Sequence, residues 1–221
     1  VAAGLPRPAS SSDLAAELSR SRRSAIGTFG FDRGGLIVDD GEPIDGDHRQ
    51  MTAFEFPEDW RVVLMFPEGV AGLSGTQEET VFQERRCMEE SLVDRQLRLM
   101  HDTIVPAVEQ RDFDAFRGGL AVFGQSAGEF FASQQGGVYS SEVIRQLVAM
   151  PEFEDLRPVQ SSWGPSVSVC ASSAEQATEI VERVGRSGLA DQIQCEIVEA
   201  LNCGATLRTT APETSDHVVR G

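Results

Sequence analysis

The chain has 221 residues, which is enough for one large domain or for a small domain plus part of another. Hydrophobic side chains make up 40% and charged side chains 24%, and no apolar run approaches the ~18 residues of a membrane-spanning helix, so long disorder and a membrane protein are excluded. The 19 basic and 35 acidic side chains give a net charge of −16, so neither duplex nucleic acid nor anionic lipid is an expected partner.

Every basic residue is an arginine, because the sequence contains no lysine. This removes a Walker-type phosphate lysine, a Schiff-base lysine and a pyridoxal anchor from the chemistry of the chain. The cysteines have no CxxC spacing and lie in apolar or mixed segments; they are Cys87, Cys170, Cys195 and Cys203. We predict free buried thiols, which indicate a reducing cytoplasm.

The first residues have the pattern of a helix end, with Gly4 and Pro6 at the positions that follow a last helical turn. We therefore expect the numbering to open inside a fold whose earlier part is absent. Ser12 then predicts the start of a short capped helix. This helix is predicted to end in a basic cluster of Arg20, Arg22 and Arg23.

A glycine-rich stretch at residues 24–35 leads into the apolar run 36–38. Asp40 and Gly41 follow, and an Asp-Gly pair after an apolar run is a signal for a hairpin turn. We predict a strand that reverses at this pair. The polar stretch beyond it places a domain boundary near residue 57.

The rest of the chain alternates strand and helix patterns. Strands are predicted at 60–66, 167–170 and 193–198. Apolar residues at helical spacing predict helices at 81–99, 113–130, 142–148 and 177–184, with a break between the first two near Pro106 and a capping box from Ser173 to Gln176 before the last. We predict that the three strands form an antiparallel sheet covered on one face by helices.

The run from Gln160 to Ser166 contains two hydroxyls, an indole and a Gly-Pro pair directly before a strand. Such a composition is typical of a rigid loop whose amides and hydroxyls meet an anionic ligand. The alternative is a tight turn with Trp163 packed into a nearby core. Composition alone does not choose between them.

Further candidate phosphate ligands lie earlier in the chain. Arg22 and Arg23 suit phosphate because guanidinium groups bind its oxygens bidentately, although arginines at a helix end also complement the helix dipole. The dipole explanation is favoured for Arg20 and Arg33. Ser74 follows a strand and precedes a helix, where first-turn amides could receive an anion, and its alternative is an ordinary N-cap loop.

Metal chemistry has weak support in the sequence. Asp39 and Asp40 adjoin a predicted strand end and are candidates for Mg²⁺ binding or acid-base chemistry, but hairpin turn chemistry explains them at least as well. His48, His101 and His217 have no second ligand at metal-like spacing, so no zinc site is expected.

Five segments carry a resemblance to a known family, namely Arg22–Thr28, Gly34–Asp39, Gly72–Gly75, Gln135–Tyr139 and Gln160–Ser166. On these segments the chain resembles the beta-ribofuranosylaminobenzene 5′-phosphate (beta-RFAP) synthases of the GHMP kinase superfamily. The resemblance extends from Arg22 to about Cys203. The Ser-Ser-Trp-Gly-Pro run is its most specific part, and the glycine-rich runs are typical of the whole superfamily.

The resemblance implies an α/β (α+β) enzyme with the two-domain GHMP-kinase-like fold. Residues 1–57 would complete the N-terminal domain, 58–208 would form the C-terminal domain, and 209–221 would be a polar tail. The implied transferase condenses phosphoribosyl pyrophosphate with para-aminobenzoate and releases CO₂ and pyrophosphate in methanopterin biosynthesis. Mg²⁺ on the pyrophosphate is expected and ATP is not.

Substrate or phosphate binding is expected at Arg22, Arg23, Ser24, Ser74, Ser161, Ser162, Trp163 and Gly164, and no catalytic residue is identified. Two departures from the superfamily matter. Gly27 stands where the resemblance places a kinase's catalytic aspartate, which weakens a phosphotransfer function. The main phosphate loop implied by the resemblance would precede Val1, so activity of these residues alone is not expected.

Two other functions stay open at this point. One is a GHMP small-molecule kinase that uses ATP. The other is a non-catalytic binding or assembly module, in which the apolar stripes of the long helices form an interface, so a homo-oligomer stays open as well. The expected partner in the leading interpretation is a small anionic substrate.

Overall fold

The computed structural model describes residues 11–17, 24–44, 48–69, 88–161 and 163–206. Their helices and strands are α1 (Ser11–Glu17), α2 (Ile26–Arg33), β1 (Leu36–Ile44), β2 (His48–Phe54), β3 (Arg61–Pro67), α3 (Glu90–Leu99), α4 (Val105–Glu109), α5 (Phe113–Gln135), α6 (Glu142–Ala149), β4 (Val159–Gln160), β5 (Val167–Ala171), α7 (Ala174–Gly185) and β6 (Ile193–Val198). None of these helices has the length and apolar character that a membrane crossing requires.

Several predictions fall outside the described residues. They concern the helix end at Gly4 and Pro6, the cluster of Arg20, Arg22 and Arg23, Ser74, Cys87, Ser162, His217, the first part of the helix predicted at 81–99 and the tail at 209–221.

Strands β1 and β2 form an antiparallel hairpin in which Leu36 lies opposite Phe54. The predicted reversal at Asp40 and Gly41 is wrong, because β1 continues to Ile44. The register of the pair shifts between Asp39 and Pro43 instead. Gly41 adopts a φ of 74°, and its amide donates to Asp39 Oδ1 at 3.0 Å, so the Asp-Gly pair distorts the strand without ending it.

The three strands predicted at 60–66, 167–170 and 193–198 share one antiparallel sheet, as predicted. Its order is β4-β5-β3-β6, and Val63 of the central strand β3 lies opposite both Val169 and Ile197. Along the chain the elements follow a strand–helix–strand–strand–helix–strand order around this sheet. The short strand β4 and the loop after it therefore lie at one edge of the sheet.

One face of the sheet packs against α6 and α7. Side chains alternate between the faces of a strand, so Val63, Met65 and the paired Val167 and Val169 point to the same side. They form a buried cluster with apolar residues of the two helices, which are Ile144, Leu147, Ala177, Ile180 and Val184. Helices thus cover this face, as expected from the sequence.

A second core cluster meets the sheet through Val62 and Cys170, which lie opposite one another on the other face. Its centre is aromatic, because the rings of Trp60 and Phe116 have centroids 5.0 Å apart and Phe56 lies 5.5 Å from each of them. Phe116 belongs to α5, so this cluster fixes the start of that long helix against the segment that enters β3.

The break between the long helices lies at residues 110–112, shortly after Pro106, near which the sequence predicts it. The chain leaves α3 through a π-helical turn at Met100–Ile104 and enters α4 with Pro106 in its first turn. Proline lacks an amide hydrogen and disturbs the preceding helical turn, and the wider π turn accommodates it. The chain changes direction only after α4, where Asp112 caps α5 by accepting a hydrogen bond from the amide of Ala115.

Glycines in the middle of α5 permit close contacts. A Cβ on Gly124 would lie 2.7 Å from Val159 Cγ1, and a Cβ on Gly128 would lie 2.6 Å from the carbonyl oxygen of Val138. The helix therefore contacts β4 and the segment that follows α5 more closely than any larger residue would allow. The loop after β4 depends on both contacts for its position.

Substituting Gly128 tests this close contact. Alanine in a helix is ordinarily more stable than glycine, but here the new methyl group would collide with backbone that cannot rotate away. We expect Gly128→Ala to lower the free energy of unfolding by about 1–3 kcal/mol. Gly185→Ala is the matched control, since a Cβ there has no neighbour within 4 Å, and a gain of up to about 0.5 kcal/mol is expected. Equal effects of the two changes in chemical denaturation would contradict the close contact.

The described cysteines form no disulfide. Cys170 is buried and Cys195 is half-buried, as predicted, but Cys203 is exposed, because it lies in the surface segment that follows β6. Burial raises the pKa of the Cys195 thiol. Burial raises the pKa of Cys170 to about 12, with a smaller opposing effect from the charge of Arg117.

The Cys170 thiol makes stability depend on alkaline pH. Its ordinary pKa of 9.0 applies to the unfolded chain, which therefore loses the proton before the folded chain does. The stabilisation is complete below pH 9 and is lost as the pH rises toward 12, by about 1.4 kcal/mol per pH unit for one proton. In urea unfolding at pH 9 to 11, Cys170→Ala should show a shallower decline than the wild type. An unchanged slope would show that this thiol does not titrate differently on unfolding.

Candidate functional site

The segment from Gln160 to Ser166, here called the Ser-Trp loop, joins β4 to β5 at the edge of the sheet. It is closed by its own backbone, since the Ser161 amide donates to the Ser166 carbonyl at 3.0 Å and the Gly164 amide donates to the Ser161 carbonyl at 2.8 Å. These two amides are therefore committed within the loop. The hydroxyl of Ser161 lies on an exposed residue and remains available to a ligand.

Trp163 anchors the loop from beneath. Only 4% of its surface is exposed, and its ring lies 4.3 Å from that of Phe131 on α5. This matches the alternative in which Trp163 packs into a nearby core, although Trp163 was also expected among the substrate-binding residues. Because the ring is buried, Trp163 holds the loop in place and offers little surface to a substrate.

Gly164 is required by the shape of the loop. Its φ of 66° lies in the region that favours glycine, and a Cβ would lie 2.3 Å from Ser140 Oγ and 2.7 Å from Gln160 Oε1. The loop thus lies directly against the turn between α5 and α6. Gly164 supports the close contact of these two segments.

Two glutamine carboxamides join the loop to that turn. Gln160 Nε2 donates to Gln135 Oε1 at 3.0 Å, and Gln160 Oε1 accepts from the Ser140 amide at 2.7 Å. Gln135 in turn donates to the carbonyls of Gly137 and Val138 at 2.9 and 2.8 Å. This arrangement, here called the glutamine clamp, fixes the start of the Ser-Trp loop relative to the end of α5.

The turn itself is stabilised in the same region. Gly136 ends α5 in a left-handed conformation, so the Gln135–Gly137 run forms a turn. The Tyr139 hydroxyl donates to the Pro158 carbonyl at 2.9 Å, and burial raises the pKa of Tyr139. The segment that enters the Ser-Trp loop is therefore bound to the turn that follows α5 at both Pro158 and Gln160.

The structure does not bring all predicted site residues together. Ser24 is exposed, and its hydroxyl accepts from the amide of Ile26 at the start of α2, at 3.4 Å, so in the described chain it bonds locally and not to the Ser-Trp loop. Arg33 is the last residue of α2 and lies over the ring of Phe29, which fits the helix-end explanation. Arg22, Arg23, Ser74 and Ser162 lie outside the described residues.

Asp39 and Asp40 have separate partners. Asp39 Oδ1 accepts from the Gly41 amide, whereas Asp40 Oδ1 lies 2.7 Å from Nε2 of His101, a residue of the π-helical turn. Within the described ranges, no group of three or more His, Cys, Asp or Glu side chains could hold a metal ion. The two aspartates therefore have separate partners, and the Asp40–His101 contact joins the distorted strand to the π-helical turn.

Comparison with solved structures defines the fold. Residues covering 71% of this chain superpose on 47% of L. major mevalonate kinase in complex with R-mevalonate, with a TM-score of 0.51 and 12% identity. A structure of MDDEF in complex with MVAPP matches over 76% of this chain and 56% of that chain, with the same TM-score and identity. The chain has the fold of the GHMP kinases, about half of which it spans.

A sequence relative supports the resemblance more specifically. The chain is 28% identical to the beta-ribofuranosylphenol 5′-phosphate synthase of Methanothermobacter thermautotrophicus over 117 residues, which are 47% of this chain and 36% of the relative. The match thus spans about a third of the relative's length. No protein-family model matches the chain. The similarity to the beta-RFAP synthase group within the GHMP superfamily is confirmed.

Breaking the glutamine clamp should loosen the loop. Gln160→Leu would leave the Ser140 amide and the Gln135 carboxamide without these partners, and we expect a loss of about 1–3 kcal/mol in the free energy of unfolding. Gln146→Leu is the control, because Gln146 is exposed and bonds only to Glu142 on its own helix. Amide hydrogen exchange should accelerate at Ser140 in the first variant only; unchanged exchange there would argue against the clamp.

Proposed function

We propose that the complete protein is a cytoplasmic enzyme that joins phosphoribosyl pyrophosphate to a para-substituted benzoate in methanopterin biosynthesis. The similarity to the Methanothermobacter synthase carries this proposal. The similar proteins of known structure include a mevalonate kinase, which supports an enzyme of this fold. Because this chain spans only part of its relatives, the proposal concerns the full-length protein.

The acceptor is a benzoate with a polar para substituent. The relative's name designates a ribosylphenol phosphate, and an acceptor that yields a phenol on decarboxylation is 4-hydroxybenzoate. The family resemblance implies 4-aminobenzoate instead. The two acids differ only in the donor group opposite the carboxylate, so both belong in the assay.

The reaction proposed is balanced without an oxidant or reductant. The ring carbon that bears the carboxylate attacks C1 of the ribose, and pyrophosphate leaves with the electron pair of the broken C–O bond. Loss of CO₂ then returns an electron pair to the ring. The protein must stabilise charge on the leaving oxygens, for which hydroxyls and guanidinium groups are suitable donors.

The available donors at the Ser-Trp loop are its hydroxyls. Ser161 is exposed, and its amide is already used inside the loop, so a phosphate or pyrophosphate oxygen would be bound by the side chain. Mg²⁺ is proposed to accompany the pyrophosphate, whose own oxygens would bind it. Asp39 and Asp40 take no part in this proposal, because their carboxylates have other partners.

A kinase that uses ATP is the alternative, since one structural neighbour is a mevalonate kinase. Gly27 lies on α2, and a Cβ there would meet no atom within 4 Å. Packing therefore does not require glycine at this position. These 221 residues contain no lysine that could bind a transferred phosphate.

A product assay decides between these activities. The full-length protein, given phosphoribosyl pyrophosphate, Mg²⁺ and either 4-hydroxybenzoate or 4-aminobenzoate, should release CO₂ and pyrophosphate in equal amounts. Phosphorylation of a small molecule from ATP, with no CO₂ release, would establish the kinase instead.

Two variants connect this activity to the loop. Ser161→Ala should lower kcat/KM by ~10- to 100-fold, the loss of one or two charge-assisted hydrogen bonds, with almost no change in Tm. Trp163→Ala should cost about 3 kcal/mol or more of stability, because it opens a cavity. Normal activity per folded molecule in Ser161→Ala would show that this hydroxyl is not part of the site.

A further inference from the structure

A cavity of about 290 Å³ lies between α5 and α7, at the edge of the large sheet. The short strand β4 pairs only with Val167 and Ser168 of β5, so on this side β5 has no neighbouring strand beyond Ser168 among the described residues. Val169 and Cys170 of the uncovered edge line the cavity. The cavity therefore follows from the short length of β4.

The cavity is separate from the Ser-Trp loop. None of the described residues that line it belongs to that loop, to the glutamine clamp or to the turn after α5. The loop ends at Ser166, and Cys170 lies further along the extended strand β5, about 13 Å away at the usual rise per residue. The function proposed above assigns no role to this cavity.

Three arginines line the cavity, with Arg117 on α5 and Arg183 and Arg186 at the end of α7. Arg117 Nη1 donates to the backbone carbonyl of Asp155 at 3.2 Å, and Arg183 Nη2 lies 3.0 Å from Asp155 Oδ1. These two guanidinium groups lie close together because both reach the same residue. Arg186 follows Arg183 by about one helical turn, on the same side of the chain.

Two charged donors at this cavity lack an acceptor. The Nε atoms of Arg117 and Arg183 are buried, and neither donates a hydrogen bond to a described residue. Buried donors normally have an acceptor. An anion with several oxygens would supply what these two guanidinium groups lack.

The carboxylates that already pair with the arginines compete weakly with such an anion. The ion pairs are Arg117–Asp114 at 3.7 Å, Arg183–Asp155 at 3.0 Å and Arg186–Glu182 at 3.5 Å. The three carboxylate side chains are 62–90% exposed, and ion pairs of exposed groups contribute little because water screens them. A ligand inside the cavity meets Arg117 and Arg183 where they are only 24% and 32% exposed.

Charge and shape favour phosphate over a carboxylate. Asp155 and Glu179 also line the cavity, so three guanidinium groups against two carboxylates leave one net positive charge in a chain whose total is −16. The tetrahedral oxygens of a phosphate dianion can accept from three guanidinium groups at once, whereas a planar carboxylate matches a single one.

We propose that this cavity is a second phosphate site, in which Arg117, Arg183 and Arg186 bind a free phosphate ion or the phosphate of a small monoester. The arginines exchange their exposed carboxylate partners for phosphate oxygens, which also accept from the two buried Nε atoms. The ligand then joins α5 to α7 across the uncovered edge of β5. Binding there requires no turnover of the substrates proposed above.

Calorimetric titration of the full-length Ser161→Ala variant, in which phosphate binding at the Ser-Trp loop is reduced, tests the ligand class. Inorganic phosphate should bind, and acetate should bind at least tenfold more weakly. Glycerol 1-phosphate distinguishes the two sources, since weaker binding of this ester supports the free ion and equal or tighter binding supports a monoester. Absence of phosphate binding, or acetate binding as tightly as phosphate, would overturn the proposal.

Further variants locate the site in the same background. Arg183→Gln should weaken phosphate binding about tenfold or more, through loss of charge-assisted hydrogen bonds. Arg111→Gln is the matched control, because it also removes an arginine paired with an aspartate, Asp59, and does not line this cavity. Equal effects of the two changes would place the phosphate elsewhere.

Removing the competing carboxylate should have the opposite effect. Asp155→Asn should tighten phosphate binding about two- to fivefold, because it frees Arg183 from its ion pair. Asp59→Asn removes the same charge away from the cavity and is the control. A gain in affinity cannot come from unfolded protein, so this comparison decides even if Arg183→Gln folds poorly. Equal gains in both variants would overturn the assignment.

The product assay separates this site from the reaction site. In the otherwise wild-type full-length protein, Arg183→Gln should leave kcat/KM for CO₂ release unchanged. A loss as large as that in Ser161→Ala would place Arg183 in the reaction site and overturn a second site. The titrations need no turnover, so they test the cavity even if the proposed reaction is not observed.

Discussion

The close contact between α5 and the segments on either side of the Ser-Trp loop is the constraint on which the site depends. Gly124 admits Val159 of β4, and Gly128 admits the carbonyl of Val138. Without these glycines the helix would stand further from the sheet edge, and Gln135 and Gln160 could not exchange a hydrogen bond at 3.0 Å. Glycine lowers the stability of a helix, but the absence of a side chain at Gly124 and Gly128 lets the loop pack closely against α5.

The strands of the large sheet could be predicted because each is a short apolar run bounded by turn residues, and buried runs of that kind have few alternatives. The turns were harder to predict. Asp40 and Gly41 satisfy the local pattern of a hairpin reversal, yet β1 continues because cross-strand pairing to β2 outweighs the turn preference. Pro106 disfavours a continuing helix, but the preceding π turn accommodates it. In both places a tertiary arrangement prevailed over a local signal.

The same distinction applies to the site. Burial of Trp163 could be predicted only as one of two alternatives, because the composition of its loop does not choose between them. The glutamine clamp could not, because it joins residues 25 positions apart whose proximity depends on the path of α5. The Asp40–His101 contact has a still longer separation along the chain. Two glutamines, each beside a glycine-containing run, were the only sequence signal, and that signal is not specific.

Charge determines what an anion site in this acidic chain must supply. With a net charge of −16, the average electrostatic field of the chain repels phosphates and carboxylates. Any anion site must therefore offset this repulsion with local hydrogen-bond donors or positive charge. The Ser-Trp loop can do so with neutral hydroxyls, which carry no charge that a nearby carboxylate would neutralise. Neutral donors tolerate many acidic neighbours, whereas cationic donors require that these neighbours be kept away, so the hydroxyls proposed for this loop suit a chain with a net charge of −16.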